Sequence, residues 1–264
     1  MAQWGGDIIK LVAHALQTDF KGAVIFCNGF LGTPPQVARL PQSAQSGFKP
    51  IVTKPRDAET RITKAKVIWG EGISIAGTLA EIYLALRSIT LSPPATLRFH
   101  SGLWNHSTKE KHPALLACMQ SPDGDLCGVQ AVYLDAKGKK ISGDGVLAKI
   151  SYGCLSGGAV RLSAFSEPLI LCEGLEDGLS ILQAMPDACV LASCGTSGMV
   201  SVVLPNSIHK VIIASDADDA GQKAAHTLAA RLKKEGRVAR IATPADSKDF
   251  NELLVQGNIA CLTK

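Results

Sequence analysis

Between Leu169 and Leu254 the chain alternates short apolar runs with segments of helical period. The runs Leu169–Cys172, Cys189–Ala192, Val211–Ala214 and Val238–Ala242 have strand length, and such alternation predicts βα units on a parallel sheet. Right-handed crossovers place all the strand C-termini on one edge. The first run ends in Glu173-Gly174 and the third leads into Asp216, Asp218 and Asp219, so these acids are expected to converge in the crevice where open α/β sheets bind ligands. From Ala220 to Glu235 a stripe of Ala224, Ala225, Leu228, Ala229 and Leu232 predicts a helix packed on the sheet. Arg231, Lys233 and Lys234 suit the negative end of its dipole, and Gly236 is the expected stop.

Upstream the pattern is mixed. Residues 67–164 read as a smaller α+β section. Ile75-Ala76-Gly77-Thr78 leads into a helix through Leu79, Ile82, Tyr83 and Leu86, and Gly128–Asp135 reads as a strand turning at Gly138. Residues 33–66, with Pro34, Pro35, Pro41, Pro50 and Pro55 among Gln, Ser and Lys, read as a linker. Residues 1–32 hold a short amphipathic helix through Leu11, Val12, Ala15, Leu16 and Phe20 that needs a docking surface. Residues 165–264 form the parallel-sheet domain.

With 264 residues, 46% of them hydrophobic and 19% charged, the chain is a globular protein with a sizeable core. The net charge of +4 is concentrated: between residues 49 and 66 stand Lys49, Lys54, Arg56, Arg61, Lys64 and Lys66 against Asp57 and Glu59. Such a run either belongs to a solvated linker or tracks a phosphate backbone. The 8 cysteines include no CxxC pair; they read as small buried hydrophobes in a reducing compartment, with no zinc site. No signal sequence and no membrane-length apolar run is present, so a cytoplasmic protein without membrane contact is expected. No GxxxxGK[ST] loop occurs, which leaves any helicase motor to a separate protein.

Carboxylates brought together raise one another's pKa unless they share a proton or a cation. Oxygen-only ligands at a sheet edge suit Mg²⁺ or Mn²⁺, with substrate phosphates completing the shell. Asp216 to Asp219 also suit a plainer role, capping the helix that follows. The candidate cations to face the acids and bind phosphate are Arg98, Lys149 and Arg161, each beside glycine or aromatic residues. His100 and His112 are expected to be structural.

Glu173-Gly174 after one apolar strand, Asp216-x-Asp218 after another, and Ala220-Gly221 opening a helix resemble the Toprim domain of primases, topoisomerases and some nucleases. Asp177, Gly195-Thr196 and Lys248-Asp249-Phe250-Asn251-Glu252 resemble motifs of the bacterial replicative primase core, although Asn251 stands where that family often has a second aspartate. Glu176 and Asp219 lack a counterpart and are expected to be surface acids. Residues 67–164 are similar to the domain preceding Toprim in primases of phages, plasmids and other mobile elements, through Trp69, Gly77-Thr78, Tyr83-Leu84, Arg98-Phe99-His100, His112-Pro113-Ala114, Gln130, Tyr133-Leu134-Asp135 and Gly157–Leu162. Residues 1–32 resemble the tail of a primase zinc-binding domain whose ligands are absent, lost or supplied by another protein.

The resemblance implies an α/β fold: a Rossmann-like Toprim sheet preceded by an α+β primase-core subdomain. It implies a DNA-directed RNA polymerase that makes short primers on single-stranded DNA from nucleoside triphosphates, with a separate helicase or zinc-binding protein as partner. Asp216 and Asp218 would hold Mg²⁺ or Mn²⁺, and Asp249 would add a second-site or outer-sphere oxygen. Glu173 would bind metal or move the hydroxyl proton, and Lys248 would contact nucleic acid. Two alternatives stay open, a Toprim nuclease and a non-catalytic nucleic-acid-binding replication accessory. Topoisomerase is disfavoured, since Tyr83, Tyr133 and Tyr152 all precede the Toprim part.

Overall fold

Helix α1 (Pro55–Glu71) shows how the chain uses its basic run. Ala65 and Ile68, 0% and 5% exposed, pack with Leu103, Ala114, Leu116, Val129 and Tyr152, while Arg61, Lys64 and Lys66 stay exposed. Residues 55–66 are therefore the solvated-and-packed length of an amphipathic helix rather than linker. Its apolar spacing is helical, and the proline that begins it sits in the first turn, where a missing N–H costs nothing. The computed structural model describes residues 55–244 and 247–257. The helix read in residues 1–32 and the proline-rich stretch before residue 55 lie outside the described residues.

After α1 come α2 (Leu79–Ala85), β1 (Leu97–Asn105), β2 (Glu110–Gln120), β3 (Leu126–Tyr133), β4 (Lys149–Gly153) and β5 (Ala159–Arg161). Then follow β6 (Leu169–Cys172), α3 (Leu175–Ala184), β7 (Cys189–Ala192), α4 (Thr196–Ser201), β8 (Lys210–Ala214), α5 (Asp219–Lys234), β9 (Val238–Ala242) and α6 (Phe250–Val255). Among the described residues nine strands form a single sheet in the order β4-β3-β2-β5-β7-β6-β8-β9, with β1 also paired to β2. The pairs among β1 to β5 are antiparallel, whereas β7-β6-β8-β9 is parallel. The three-residue β5 is antiparallel to both β2 and β7 and joins the two halves. The α+β section and the parallel section thus share one sheet.

The parallel strands β6 and β7 are buried at every residue, as strands covered by helices on both faces must be. One face packs Ile170, Cys172, Val190 and Ala192 with Leu175, Leu179 and Phe250; the other packs Leu169, Leu171, Val211 and Ile213 against Ala224, Ala225, Leu228 and Leu232 of α5. Each large side chain so buried contributes about 1.5–3 kcal/mol. Helix α5 ends with Gly236 at φ +79, and Arg237 donates from its backbone to the Leu232 carbonyl, satisfying an otherwise orphaned acceptor. Helix α2 is turned from its expected face. It buries Ala80, Tyr83 and Leu84 and leaves Ile82 and Leu86 47% and 55% exposed, because Tyr83 is drawn inward to a buried partner described below.

Candidate active site

The register of the parallel strands decides which residues meet. Cys172 is level with both Ala192 and Ala214, and Ala214 with Ala242. Glu173, Ser193 and Ser215 therefore leave the sheet side by side, with Asp216 one residue further on. The return loop closes over them: the Ala217 N–H donates to the Lys248 carbonyl at 3.1 Å, which brings Asp249 to the same edge. One cleft of about 270 Å³ is lined by the acids Glu173, Glu176, Asp177, Asp216 and Asp249 together with the cations Arg87, Lys140 and Lys149.

The acids carry the marks of enforced proximity. Burial pushes the Asp216 carboxyl up to about 6, and the negative charges of Glu173, Asp249 and Asp218 push the same way. Asp177 rises to about 7, through burial and then Asp216 and Asp249. Glu173 is raised by burial and by Asp218 and Asp177, against a backbone hydrogen bond from Thr196 that favours its charged form. Gly174 makes this crowding possible: a Cβ there would lie 2.1 Å from Asp177 Oδ2. Asp177 Oδ1 accepts the Asn251 N–H at 3.0 Å. Asp216 Oδ1 is buried and accepts no hydrogen bond.

A buried, unpartnered carboxylate oxygen among mutually destabilised acids is what a hard divalent cation relieves. Among the described residues, however, no three His, Cys, Asp or Glu side chains gather closely enough to enclose a metal by themselves. Mg²⁺ commonly takes only one or two carboxylates, with water and phosphate oxygens making up the rest, so Glu173 and Asp216 fit such an ion as a pair. Asp218 differs from the expected third ligand. It is the N-cap of α5, its Oδ1 accepting the Gly221 N–H at 2.7 Å. Asp249 likewise caps α6 through Oδ1, bonded to the Glu252 N–H at 2.8 Å. Asn251, which stands where the primase family often has a second aspartate, has its amide fully engaged, on the Arg87 carbonyl at 3.0 Å, on Ser180 Oγ at 2.9 Å and on the Arg87 guanidinium at 3.1 Å.

The cations divide. Lys149 lies in the cleft wall, and Lys248 is exposed on the loop whose carbonyl holds Ala217. Arg98 and Arg161 do not line the cleft. Arg98 lies 4.5 Å over the Trp69 ring and donates to the Trp69 carbonyl, and Arg161 lies 4.0 Å over Phe165. Flat guanidinium groups stack on nearby aromatic rings. Arg87 and Lys140 were not singled out in the sequence. Arg87 is carried in by α2 and Lys140 by the loop before β4, with no motif marking either.

Glu176 corrects the expectation of a surface acid. It is 5% exposed, its Oε2 2.9 Å from Lys149 Nζ, and it accepts the Tyr83 hydroxyl. Burial alone would raise its carboxyl, but Lys149 and the Tyr83 hydroxyl more than offset this and hold it at about 2. Asp219 is exposed, as expected.

Residues 168–259 match the family described as Toprim domain, and residues 59–162 one described as a domain of unknown function (DUF7146). No curated protein matches the chain in sequence. Among solved structures, the chain is similar to the RNA polymerase domain of Mycobacterium tuberculosis primase DnaG in complex with double-stranded DNA, at 16% identity and TM-score 0.50 over 80% of this chain and 79% of that one. It is also similar to the primase fragment of the bacteriophage T7 primase-helicase protein, at 18% identity and TM-score 0.47 over 62% of this chain. The alignment spans 64% of that fragment. The E. coli primase catalytic core aligns at 14% identity and TM-score 0.47 over 75% of both chains. No helix among the described residues is long and apolar enough to cross a membrane. The acid-bearing edge thus lies in a Toprim domain, built into a mixed α/β fold that is similar to primase cores.

Proposed function

We propose that this cleft joins ribonucleotides on a single-stranded DNA template, attacking the α-phosphate of an incoming nucleoside triphosphate with a 3′-hydroxyl and releasing pyrophosphate. The observation that carries the reading is the convergence of Glu173 and the unpartnered Asp216 oxygen in one cleft that Arg87, Lys140 and Lys149 also line. A divalent cation held there would neutralise phosphate charge and favour ionisation of the attacking hydroxyl. Glu173 and Asp216 supply its carboxylate oxygens. Asp218 and Asp249, each with one oxygen engaged in capping, act through their second oxygen and their field. Glu173, kept basic by burial and by its acidic neighbours Asp218 and Asp177, takes the hydroxyl proton when it is not bound to metal. Lys149 offers N–H donors to the triphosphate, and Lys248 contacts the nucleic-acid backbone.

Incubation with single-stranded DNA, labelled ribonucleotides and Mg²⁺ tests this. Template-dependent oligoribonucleotides from the wild type, lost in Asp216→Asn, are the expected result. Shortened DNA would mean a nuclease, and a mobility shift without new or shortened strands would mean a binding protein.

A further inference from the structure

The ion pair of Lys149 and Glu176 is lopsided. The glutamate side chain is 6% exposed and the lysine 36%; both line the cleft, and the ammonium is the more open end of the pair. The glutamate end is fixed from a second direction by the hydroxyl of Tyr83, itself 2% exposed. Tyr83 is in turn covered by the Arg87 guanidinium at 5.1 Å, and Arg87 is tied to Asn251. Elements α2, β4, α3 and α6 thus meet around one buried carboxylate. An ammonium has three donors. Glu176 takes one at 2.9 Å, and no other hydrogen bond of Lys149 exists among the described residues. A buried pair serving stability alone would enclose both charges and satisfy the remaining donors. Here two are left for the cleft.

We propose that Glu176 is a positioning residue: its carboxylate, fixed by Tyr83, holds the Lys149 ammonium in the cleft wall with its free N–H groups available to a substrate phosphate. This rests on the reading that the cleft takes a nucleoside triphosphate. The arrangement also keeps the lysine charged, since Glu176 outweighs the opposing effect of burial on its ammonium. Replacing Glu176 by glutamine would remove the negative charge and leave the ammonium at most one neutral amide oxygen, loosening the lysine from its fixed place.

The test compares Glu176→Gln, Tyr83→Phe, Lys149→Ala and the double variant Glu176→Gln/Lys149→Ala. Calorimetric titration with Mg²⁺–ATP is read beside Mn²⁺ binding without nucleotide. Losing a charge-assisted hydrogen bond should cost about tenfold or more in affinity. Glu176→Gln should weaken Mg²⁺–ATP binding as much as Lys149→Ala does. The double variant should be no weaker than Lys149→Ala, Tyr83→Phe should lose less, and Mn²⁺ affinity should hold throughout. Wild-type affinity in Glu176→Gln beside a weakened Lys149→Ala would overturn the positioning role and leave the cleft reading intact. So would loss of Mn²⁺ and nucleotide together in Glu176→Gln with Tyr83→Phe unaffected, which would mark general collapse. If the wild type binds no Mg²⁺–ATP, the cleft reading fails, and acetylation of Lys149 by acetic anhydride, followed by peptide mass, decides the positioning claim. Labelling severalfold faster in Glu176→Gln than in wild type supports it, and equal rates refute it.

Discussion

Replacing Asp216 with asparagine should stabilise the metal-free protein, although it removes a residue assigned to the active site. The Asp216 carboxyl rises from 3.8 to about 6 on folding. A carboxyl raised in this way favours the folded state below its unfolded value, and that contribution is lost as pH climbs through the folded value. Above pH 7 the ionised group therefore opposes folding. A shift of about 2 units at ~1.4 kcal/mol per unit would be about 3 kcal/mol for a fully enclosed group, and solvent screening at this half-buried carboxyl reduces the penalty to ~1–2 kcal/mol. The asparagine carries no charge but leaves a part-buried amide to be satisfied, so a net gain of ~0.5–1.5 kcal/mol is expected. For a chain of this size that is a rise in Tm of about 1–5 °C. Scanning calorimetry in excess EDTA should show the full gain at pH 8, about half of it at pH 5 and little below about pH 3.5, under the unfolded value. Adding Mg²⁺ at pH 8 should stabilise the wild type and leave the variant unmoved. A variant less stable than wild type in EDTA at pH 8 would show that the acids are not in conflict and refute the reasoning.

Gly174→Ala would put a methyl 2.1 Å from Asp177 Oδ2; it should lose about 1–3 kcal/mol in denaturant melts and weaken Mn²⁺ binding as the acids separate. Product formation should fall as pH drops below about 6–7, where Asp216 and Asp177 take up protons. Higher Mg²⁺ should move the midpoint of that profile downward, because cation and proton compete. Arg237, 10% exposed, donates to the carbonyls of Leu204, Pro205 and Ile208. Arg237→Ala should cost about 2–4 kcal/mol in stability without changing Mn²⁺ affinity, separating scaffold from site.

The parallel half was legible because both faces of β6 and β7 are covered. Burial on both faces writes an unbroken apolar run, and the acids that follow β6 and β8, Glu173 and Asp216, mark the edge. The stripe of α5 and its stop at Gly236 were legible for the same local reason. Function at that edge was harder to read. A DxD spacing suits both a ligand and a helix cap, and only coordinates show Asp218 capping through one oxygen while Asp216 keeps one bare. Glu176 looked like a first-turn acid because its partners are distant in sequence. Lys149 is 27 residues away and Tyr83 is 93 away, and no local pattern encodes either meeting. Arg98 and Arg161 lie over Trp69 and Phe165 and do not line the cleft; Trp69 is 29 residues from Arg98, so that stacking was not legible from its neighbours. In α1 a run of basic residues masked the small apolar face carried by Ala65 and Ile68.

Electron paramagnetic titration of Mn²⁺ into nucleotide-free wild type, Glu173→Gln and Asp216→Asn tests the central claim most directly. The account predicts one site in the wild type that either substitution alone weakens at least tenfold, because the two carboxylates share one ion. Wild-type Mn²⁺ affinity in either variant would contradict it.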